Sequence, residues 1–421
     1  MSTSPVRLLF LLLLGTSATA NAQSLQQIEE YEARIEAQQQ QLDQMRRELD
    51  ELKAMHAEQQ KPSEEPFVVA ADPEREMPGP FVLRKNENLS LLLSGRVHRM
   101  VLGLDDGANT DRFFTDSEQG PTSIRFDVNA KASEQFSVGA TIETGIRQNR
   151  PFLVSQDNPD PGTDVTVRIA EVTLNHSNVG KFSIGRGFSS AWLAPEMDLS
   201  GTQFASLLPV GMLAPGMKFV DRSDDTLSDI QVLNYFVDVE RLLLVDRIRY
   251  DSPGFGMGMQ VSGTIASDGR WDASFRMKPK ATEDWTFVAG ASFQHEPFAG
   301  IDQRIDAVGS VRHNDTGLNF TAGFVTEEVT EGGTANTYVL KAGWLADFFD
   351  LGKTAFSLDY YDVSDLRLAG DAAKSYGFFA VQKWPAYGID FYGGYRMYDV
   401  DRPDIDLHSL DLIALGITLG F

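Results

Sequence analysis

The sequence predicts an all-β transmembrane antiparallel barrel of about sixteen strands, preceded by an α-helical coiled coil. Three observations support this prediction. A short apolar segment follows the first methionine, and a heptad repeat of apolar residues comes after it. From about Asn88 to the end, segments of about ten residues alternate between apolar and polar side chains. This last pattern is typical of strands that face lipid on one side and water on the other.

The first residues have the features of an export signal. Arg7 supplies the positive charge, Leu8 to Leu14 form an apolar run, and Ala20-Asn21-Ala22 provides a cleavage site. We therefore expect residues 1–22 to be a signal peptide. No later stretch has the roughly 18 to 20 consecutive apolar residues that a transmembrane helix needs. Any membrane span must then be a β-barrel.

Composition excludes several classes of site. The 421 residues include no cysteine, so neither a disulfide framework nor a thiolate metal site can form. We expect no metal and no cofactor, because the acidic loops have no complete calcium-ligand spacing. The formal net charge of −23 argues against nucleic acid as a partner, since phosphate binding needs a basic face.

Residues 23–58 carry the heptad repeat. Ile28, Ile35, Leu42 and Leu49 fit position a, and Tyr31, Met45 and Leu52 fit position d. About four heptads of periplasmic coiled coil follow from this spacing, and self-association is the favoured interpretation. The alternative is one amphipathic helix that lies on another surface. Residues 59–87, rich in proline and glutamate, are expected to form an extended linker.

Residues 88–421 show the barrel pattern most clearly at Ile124–Lys131, where all apolar residues share one parity and all polar residues share the other. A soluble β-sandwich also alternates. The final strand, however, alternates apolar residues up to the terminal Phe421, and aromatic residues between Trp384 and Tyr398 cluster as in an interfacial girdle. Roughly twenty residues per strand and connection give about sixteen strands, which leaves an aqueous channel.

Four motifs carry a family resemblance: Val179-Gly180-Lys181-Phe182-Ser183-Ile184-Gly185-Arg186-Gly187, Pro195-Glu196-Met197-Asp198-Leu199-Ser200-Gly201-Thr202, Arg247-Ile248-Arg249-Tyr250-Asp251-Ser252-Pro253, and Tyr387-Gly388-Ile389-Asp390-Phe391-Tyr392-Gly393-Gly394-Tyr395-Arg396. They resemble the trimeric Gram-negative porins, sixteen-stranded barrels whose third loop narrows the lumen. The coiled coil resembles the extension of the DcaP-like porins, which favour small anionic solutes. The end of the chain, with Ile417, Leu419 and Phe421, resembles the signal that the barrel assembly machinery reads.

The resemblance implies a homotrimer in the outer membrane, in contact with lipid and lipopolysaccharide, with a constriction loop at about residues 187–220. It also implies which residues line the constriction. Arg125, Arg168 and Arg186 match the basic wall, and Glu196 and Asp198 match the acidic loop. Arg96, Arg222, Arg247 and Arg249 are secondary candidates for the lumen.

The arginines have a second interpretation. They would be expected to pair with Asp127, Glu143 or Glu171 in any water-filled barrel and merely keep its wall solvated. The phase of the strand around Arg168 also changes, because the apolar parity of Val165 and Val167 reverses further on. This reversal predicts a β-bulge or a misplaced strand boundary.

These features predict an outer-membrane porin for passive diffusion of small hydrophilic solutes, and they leave open a preference for small anions such as carboxylates. The alternative function is structural, with the coiled coil tethering the membrane to the cell wall. An enzyme is not expected, because none of the six histidines lies in a G-x-S-x-G or H-E-x-x-H context.

Overall fold

The structure, a computed structural model, describes residues 79–236, 244–296, 301–329 and 333–421. The predicted signal peptide, coiled coil and most of the linker lie outside these residues. Most of the described chain is β-strand. The strands are β1 (Phe81–Lys85), β2 (Leu89–Asp105), β3 (Thr110–Thr115), β4 (Ser123–Lys131), β5 (Phe136–Gln148), β6 (Thr163–His176), β7 (Gly180–Phe188), β8 (Lys218–Asp221), β9 (Thr226–Gln231), β10 (Leu244–Asp251), β11 (Met259–Ala266), β12 (Trp271–Met277), β13 (Trp285–Glu296), β14 (Ile301–His313), β15 (Leu318–Val329), β16 (Gly333–Phe349), β17 (Gly352–Ser364), β18 (Ala372–Trp384), β19 (Ile389–Asp401) and β20 (Leu410–Gly420).

All strands except the β8–β9 hairpin form one antiparallel sheet, which closes because β2 pairs with β20. The sheet has sixteen positions around the barrel. One position is shared by β3 and β4, which follow one another along one edge of β2. Another is shared by β20 and β1 along the opposite edge of β2. The predicted closed barrel of sixteen strands is confirmed.

The barrel begins earlier than the sequence predicted. Phe81–Lys85, assigned to the linker, forms β1 and pairs with β2. The chain end completes the same seam, since the backbone N–H of Phe421 donates to the carbonyl of Gly95 at 3.0 Å. The ring of Phe421 lies 6.0 Å from that of Phe81, measured between centroids. Both ends of the barrel chain are thereby fixed at one place in the wall.

Side chains alternate across the wall as the pattern predicted. On β20, Ile413 and Leu415 are each 59% exposed on the outside, whereas Leu412 and Ala414 are completely buried inside. The expected aromatic girdle is only partly correct. Tyr398, one of its predicted members, points inward, is completely buried, and donates to the carbonyl of Val210 at 2.6 Å. Tyr398 therefore belongs to an apolar core inside the barrel.

That core is formed by the inner loop, residues 189–236, which leaves the wall after β7 and lies in the lumen. It contains one helical turn, Ala194–Met197, the 3₁₀ turns Val210–Leu213 and Val232–Asn234, and the β8–β9 hairpin. Its apolar residues pack on inward residues of the wall. The inner loop extends well beyond the predicted end at residue 220. Among the described residues, no helix is long and apolar enough to cross a membrane.

A second connection, residues 149–162 between β5 and β6, folds over the mouth of the barrel. Val154 is completely buried in the same core as the inner loop. The carboxylate of Asp157 accepts a hydrogen bond from the Lys218 ammonium at 2.7 Å. This bond holds the pKa of Asp157 below its usual value. The two loops are thereby tied together above the lumen.

Candidate constriction site

Arg125 on β4 and Arg168 on β6 meet on the inner face of the wall, where both contact one carboxylate on β5. Arg168 Nε donates to Glu143 at 2.6 Å, and Arg125 Nη1 lies 3.5 Å from the same carboxylate. Arg125 also donates to Asp127 at 2.8 Å. Two of the predicted constriction residues therefore lie together, and each has the carboxylate partner that the alternative interpretation expected.

The predicted β-bulge at Arg168 is confirmed. Glu143 pairs with Ile169 while the next residue of β5, Thr144, pairs with Val167, so that Arg168 is the additional residue. The extra residue reverses the phase of the strand. Its consequence is that Arg168 and Ile169 both lie on the inner side, next to each other.

Arg186 does not share the inner face of the wall with Arg125 and Arg168, although it lines one cavity together with Arg168. It shares the parity of Ile184, which is 51% exposed on the outer face of β7. Its Nε donates to the carbonyl of Val167 at 3.0 Å, and its Nη1 lies 3.8 Å from the exposed Asp246. The sequence contained this information, because the apolar parity of β7 already assigns Arg186 to the outer side.

Glu196 and Asp198 also lie away from the part of the inner wall that carries Arg125 and Arg168, which we call the arginine wall. Glu196 accepts a hydrogen bond from Lys278 at 2.8 Å, at the end of β12. Asp198 is buried and lies 2.8 Å from the ammonium of Lys341 on β16. Both acids attach the inner loop to the wall. The predicted constriction of three arginines facing two acids is therefore not assembled in the structure.

Two secondary candidates, Arg247 and Arg249, hold the start of the inner loop. Arg247 Nε donates to the carbonyl of Phe188 at 2.7 Å, and its Nη2 contacts Glu171 at the same distance. Arg249 donates to the carbonyl of Ser189 at 2.8 Å. Their guanidinium groups fix the point at which the chain turns inward.

The other two secondary candidates lie at different depths. Arg96 stacks on the ring of Phe204 in the inner loop, with 4.3 Å between the guanidinium carbon and the ring centroid. Arg222 follows β8 and donates to Asp406 at 3.2 Å, and both side chains are at least half exposed. Arg96 therefore lines the lumen, whereas Arg222 belongs to the exposed loops.

Sequence reasoning missed a basic cluster next to Arg168. Residues 116–122 interrupt the barrel strand between β3 and β4 and bring Glu118 to two arginines. Its carboxylate accepts hydrogen bonds from Arg147 at 3.0 Å and from Arg150 at 2.8 Å. Arg147 also donates to Asp164 at 2.8 Å. The sequence could have identified Arg147 as one residue of this cluster, because it lies four residues after the inward-facing Glu143 on the same strand and so shares its face.

A cavity of about 280 Å³ separates this basic cluster from the inner loop. Its other side is apolar and includes Leu207, Pro209 and Met212. The arrangement can attract an anion and offers no paired nucleophile and base. Among the described residues, no group of three His, Cys, Asp or Glu side chains is placed to hold a metal ion.

Comparison with known proteins gives a consistent result. Residues 11–403 match the family model described as Gram-negative porin. No curated protein sequence matches the chain. Solved structures with a similar fold include an anion-selective porin from Comamonas acidovorans, with a TM-score of 0.55 and 14% identity, covering 79% of this chain and 100% of that one.

Two further structures share the fold. The outer membrane channel DcaP of Acinetobacter baumannii has a TM-score of 0.52 and 13% identity, covering 81% of this chain and 99% of that one. The Salmonella typhi OmpF complex with daunomycin has a TM-score of 0.52 and 13% identity, covering 80% of this chain and 99% of that one. These identities show a shared fold, and the family match spans most of the sequence. The chain belongs to the Gram-negative porin family, and it is an outer-membrane channel protein rather than an enzyme.

Proposed function

We propose that this outer-membrane channel passes small hydrophilic solutes by diffusion and prefers small anions such as carboxylates. The observation that carries the proposal is the contact of Arg125 and Arg168 with Glu143 on the inner wall, close to the additional arginines 147 and 150. The inner-loop acids Glu196 and Asp198 are engaged with cations elsewhere. They leave the arginine wall without acidic residues of the inner loop opposite it.

The net charge of −23 does not oppose this preference. Charges on the exposed loops are screened by salt within about 8 Å at physiological ionic strength. Charges inside a narrow lumen with low-dielectric walls act on the solute at close range. The arginines of this part of the wall are each paired with a carboxylate, so the cluster has no net positive charge. The expected anion preference therefore comes from the N–H donors of Arg150 and Arg168 that these carboxylates leave unpaired. The fold relative described as an anion-selective porin is consistent with this expectation.

The reversal potential across a potassium chloride gradient in planar bilayers tests the proposal. A potential of the sign that chloride permeation produces supports it, and a potential of the opposite sign rejects the anion preference. Purified protein that gives no stable conductance would reject the channel itself and favour the tethering function.

The homotrimer remains part of the proposal, and Arg99 supports it. This arginine lies on the outer face of β2 between Val97 and Val101, and it pairs across the strands with Ile417. An arginine on the lipid face of a barrel is destabilising, by about 2–4 kcal/mol at the bilayer midplane and by less toward the interfaces. Within its own chain Arg99 donates to the carbonyl of Gln148 at 2.9 Å and lies 3.8 Å from Asp116. Contact with a second copy would shield the rest of its side chain from lipid.

Assembly and membrane contacts complete the proposal. The exposed residues Ile417 and Leu419, together with Phe421 at the barrel seam, are proposed to form the signal for the assembly machinery. The exposed apolar side chains of the outer face suit lipid, with lipopolysaccharide in the outer leaflet. The coiled coil of residues 23–58 is proposed to lie in the periplasm.

A further inference from the structure

We infer that the cavity beside the arginine wall binds monoanions with an apolar or aromatic body, such as aromatic carboxylates. This inference rests on the proposed function and names the solute class within it. We call the cavity the slot. The residues that line it include Arg150, Phe152, Arg168, Trp192, Leu207 and Met212.

The slot exists because the inner loop leaves the wall early. β5 pairs with β6 as far as Thr163, whereas β6 pairs with β7 only from Ala170 to His176. After Phe188 the chain turns into the lumen, so the outer end of β6 stands beside the inner loop instead of a strand. The space between them is lined by wall residues, among them Val167, Arg168 and Arg186, on one side and by the inner loop on the other.

The basic side of the slot keeps hydrogen-bond donors available. Among the described residues, Arg168 makes one side-chain hydrogen bond, from Nε to Glu143, so neither of its Nη atoms has a partner. Arg150 uses Nε for Glu118 and Nη1 for Asp164, which leaves Nη2 without a partner in the described part of the chain. Guanidinium groups with free N–H donors bind carboxylates in a fixed geometry.

The opposite side of the slot is apolar and aromatic. The rings of Phe188 and Trp192 stack with 4.8 Å between centroids and 24° between planes. Leu207 and Met212 are each 6% exposed, and Arg150 lies over the ring of Phe152 at 5.0 Å. An aromatic solute would pack against this surface, which a small inorganic anion would leave in contact with water.

Glu118 limits the affinity of the slot for an anion. Its carboxylate already occupies donors of Arg147 and Arg150, as the carboxylate of a solute would. A permeating anion must therefore compete with it. This competition keeps binding weak enough for the solute to leave, which a conducting channel requires.

The experiment measures block of the potassium chloride current by benzoate, acetate and anilinium in bilayers containing the full-length protein. We expect half-block by benzoate at a concentration about three- to tenfold below that of acetate, because the ring adds aromatic packing to the shared carboxylate. Anilinium, with the same ring and a positive charge, should not block. Equal block by benzoate and acetate, or block by anilinium at the benzoate concentration, would overturn the inference.

Three variants locate the effect. Phe152→Gln and Trp192→Gln should each raise the half-blocking benzoate concentration about three- to tenfold. Glu118→Gln should lower it, because Arg147 and Arg150 lose their internal competitor. Leu153→Gln is the matched control, since this exposed neighbour on the same loop does not line the slot. Block that is unchanged in all three variants would reject the slot as the site.

Two controls separate this result from other failures. Unitary conductance near that of the original protein shows that a variant has folded. The potassium chloride reversal potential reports the proposed anion preference without benzoate. If the unmodified channel is anion-selective but benzoate and acetate block it equally, only the inference that the slot binds aromatic carboxylates is refuted. If the unmodified channel is not anion-selective, the proposed anion preference is refuted.

Discussion

Lys341 on β16 and Asp198 on the inner loop form a buried ion pair with 2.8 Å between Nζ and Oδ2, and their side chains are 1% and 0% exposed. Lys341 also donates to the carbonyl of Ser206 on the same loop. One wall cation therefore holds two points of the inner loop. The pair lies across the lumen from the arginines of β4 and β6.

Asp198→Asn is predicted to loosen the inner loop. The change leaves the ammonium of Lys341 buried without its counter-charge, and removal of one partner of a buried pair costs about 3–5 kcal/mol. We expect a lower unfolding temperature and larger fluctuations in the open-channel current. Glu196→Gln is the control on the same loop, because Glu196 is 39% exposed and contacts Lys278 at 2.8 Å and Arg276 at 3.6 Å. Ion pairs of such an exposed carboxylate are worth only about 0–1 kcal/mol. A large selectivity change with an unaltered melting temperature would mean that Asp198 lines the pore instead.

Arg125→Ser combined with Arg168→Ser is predicted to raise conductance and to move selectivity toward cations. Both side chains become smaller, and the carboxylates of Asp127 and Glu143 lose their positive partners. The reversal potential across a salt gradient measures the change. Arg222→Ser, in the exposed loops, should change it little because salt screens that position.

An unchanged reversal potential in the double variant would place the constriction elsewhere in the lumen. Arg247 and Arg249 would then be the next residues to change. Arg247 is buried and Arg249 is partly buried, and both hold the start of the inner loop, so their variants need a stability measurement as well.

Deletion of Ser24–Lys61 is predicted to weaken the homotrimer without abolishing it. The heptads add association around an axis, while the barrel face that carries Arg99 remains. Native mass measurement in mild detergent, repeated over a dilution series, gives the fraction of trimer. Full-length protein that is monomeric at every concentration would contradict both the trimer and the self-associating coil.

Gly95→Val is predicted to impair closure of the barrel. A Cβ atom at this position would lie 2.5 Å from the ring of Phe421 and 2.8 Å from the carbonyl oxygen of Ser123. Overpacking of this kind costs about 1–3 kcal/mol. The fraction of heat-modifiable, folded barrel on a gel should fall.

Gly103→Val on the same strand is the control for that substitution. Its Cβ would have only one neighbour within 4 Å, the carbonyl oxygen of Ile413 at 3.9 Å. Equal folding yields for the two variants would show that the seam at Phe421 tolerates a larger side chain.

Much of the wall could be predicted from the sequence. The two-residue period of apolar and polar side chains identified the strands and their approximate number, and it assigned Arg125 to the inner face of the wall. The change of phase around Arg168 predicted the bulge that the strand pairing shows. The same rule, applied consistently to Phe182 and Ile184, would have assigned Arg186 to the outer face. These properties are local, because a strand's side-chain direction depends only on its own backbone.

Partners across the lumen were decided by the tertiary structure. Asp198 meets Lys341 from 143 residues away, and Glu118 meets Arg147 because a short segment between strands turns inward. Alternation specifies the face of a residue and carries no information about its depth or about what lies opposite. Those depend on how far the inner loop enters the barrel, which is determined by packing of its apolar residues on the wall.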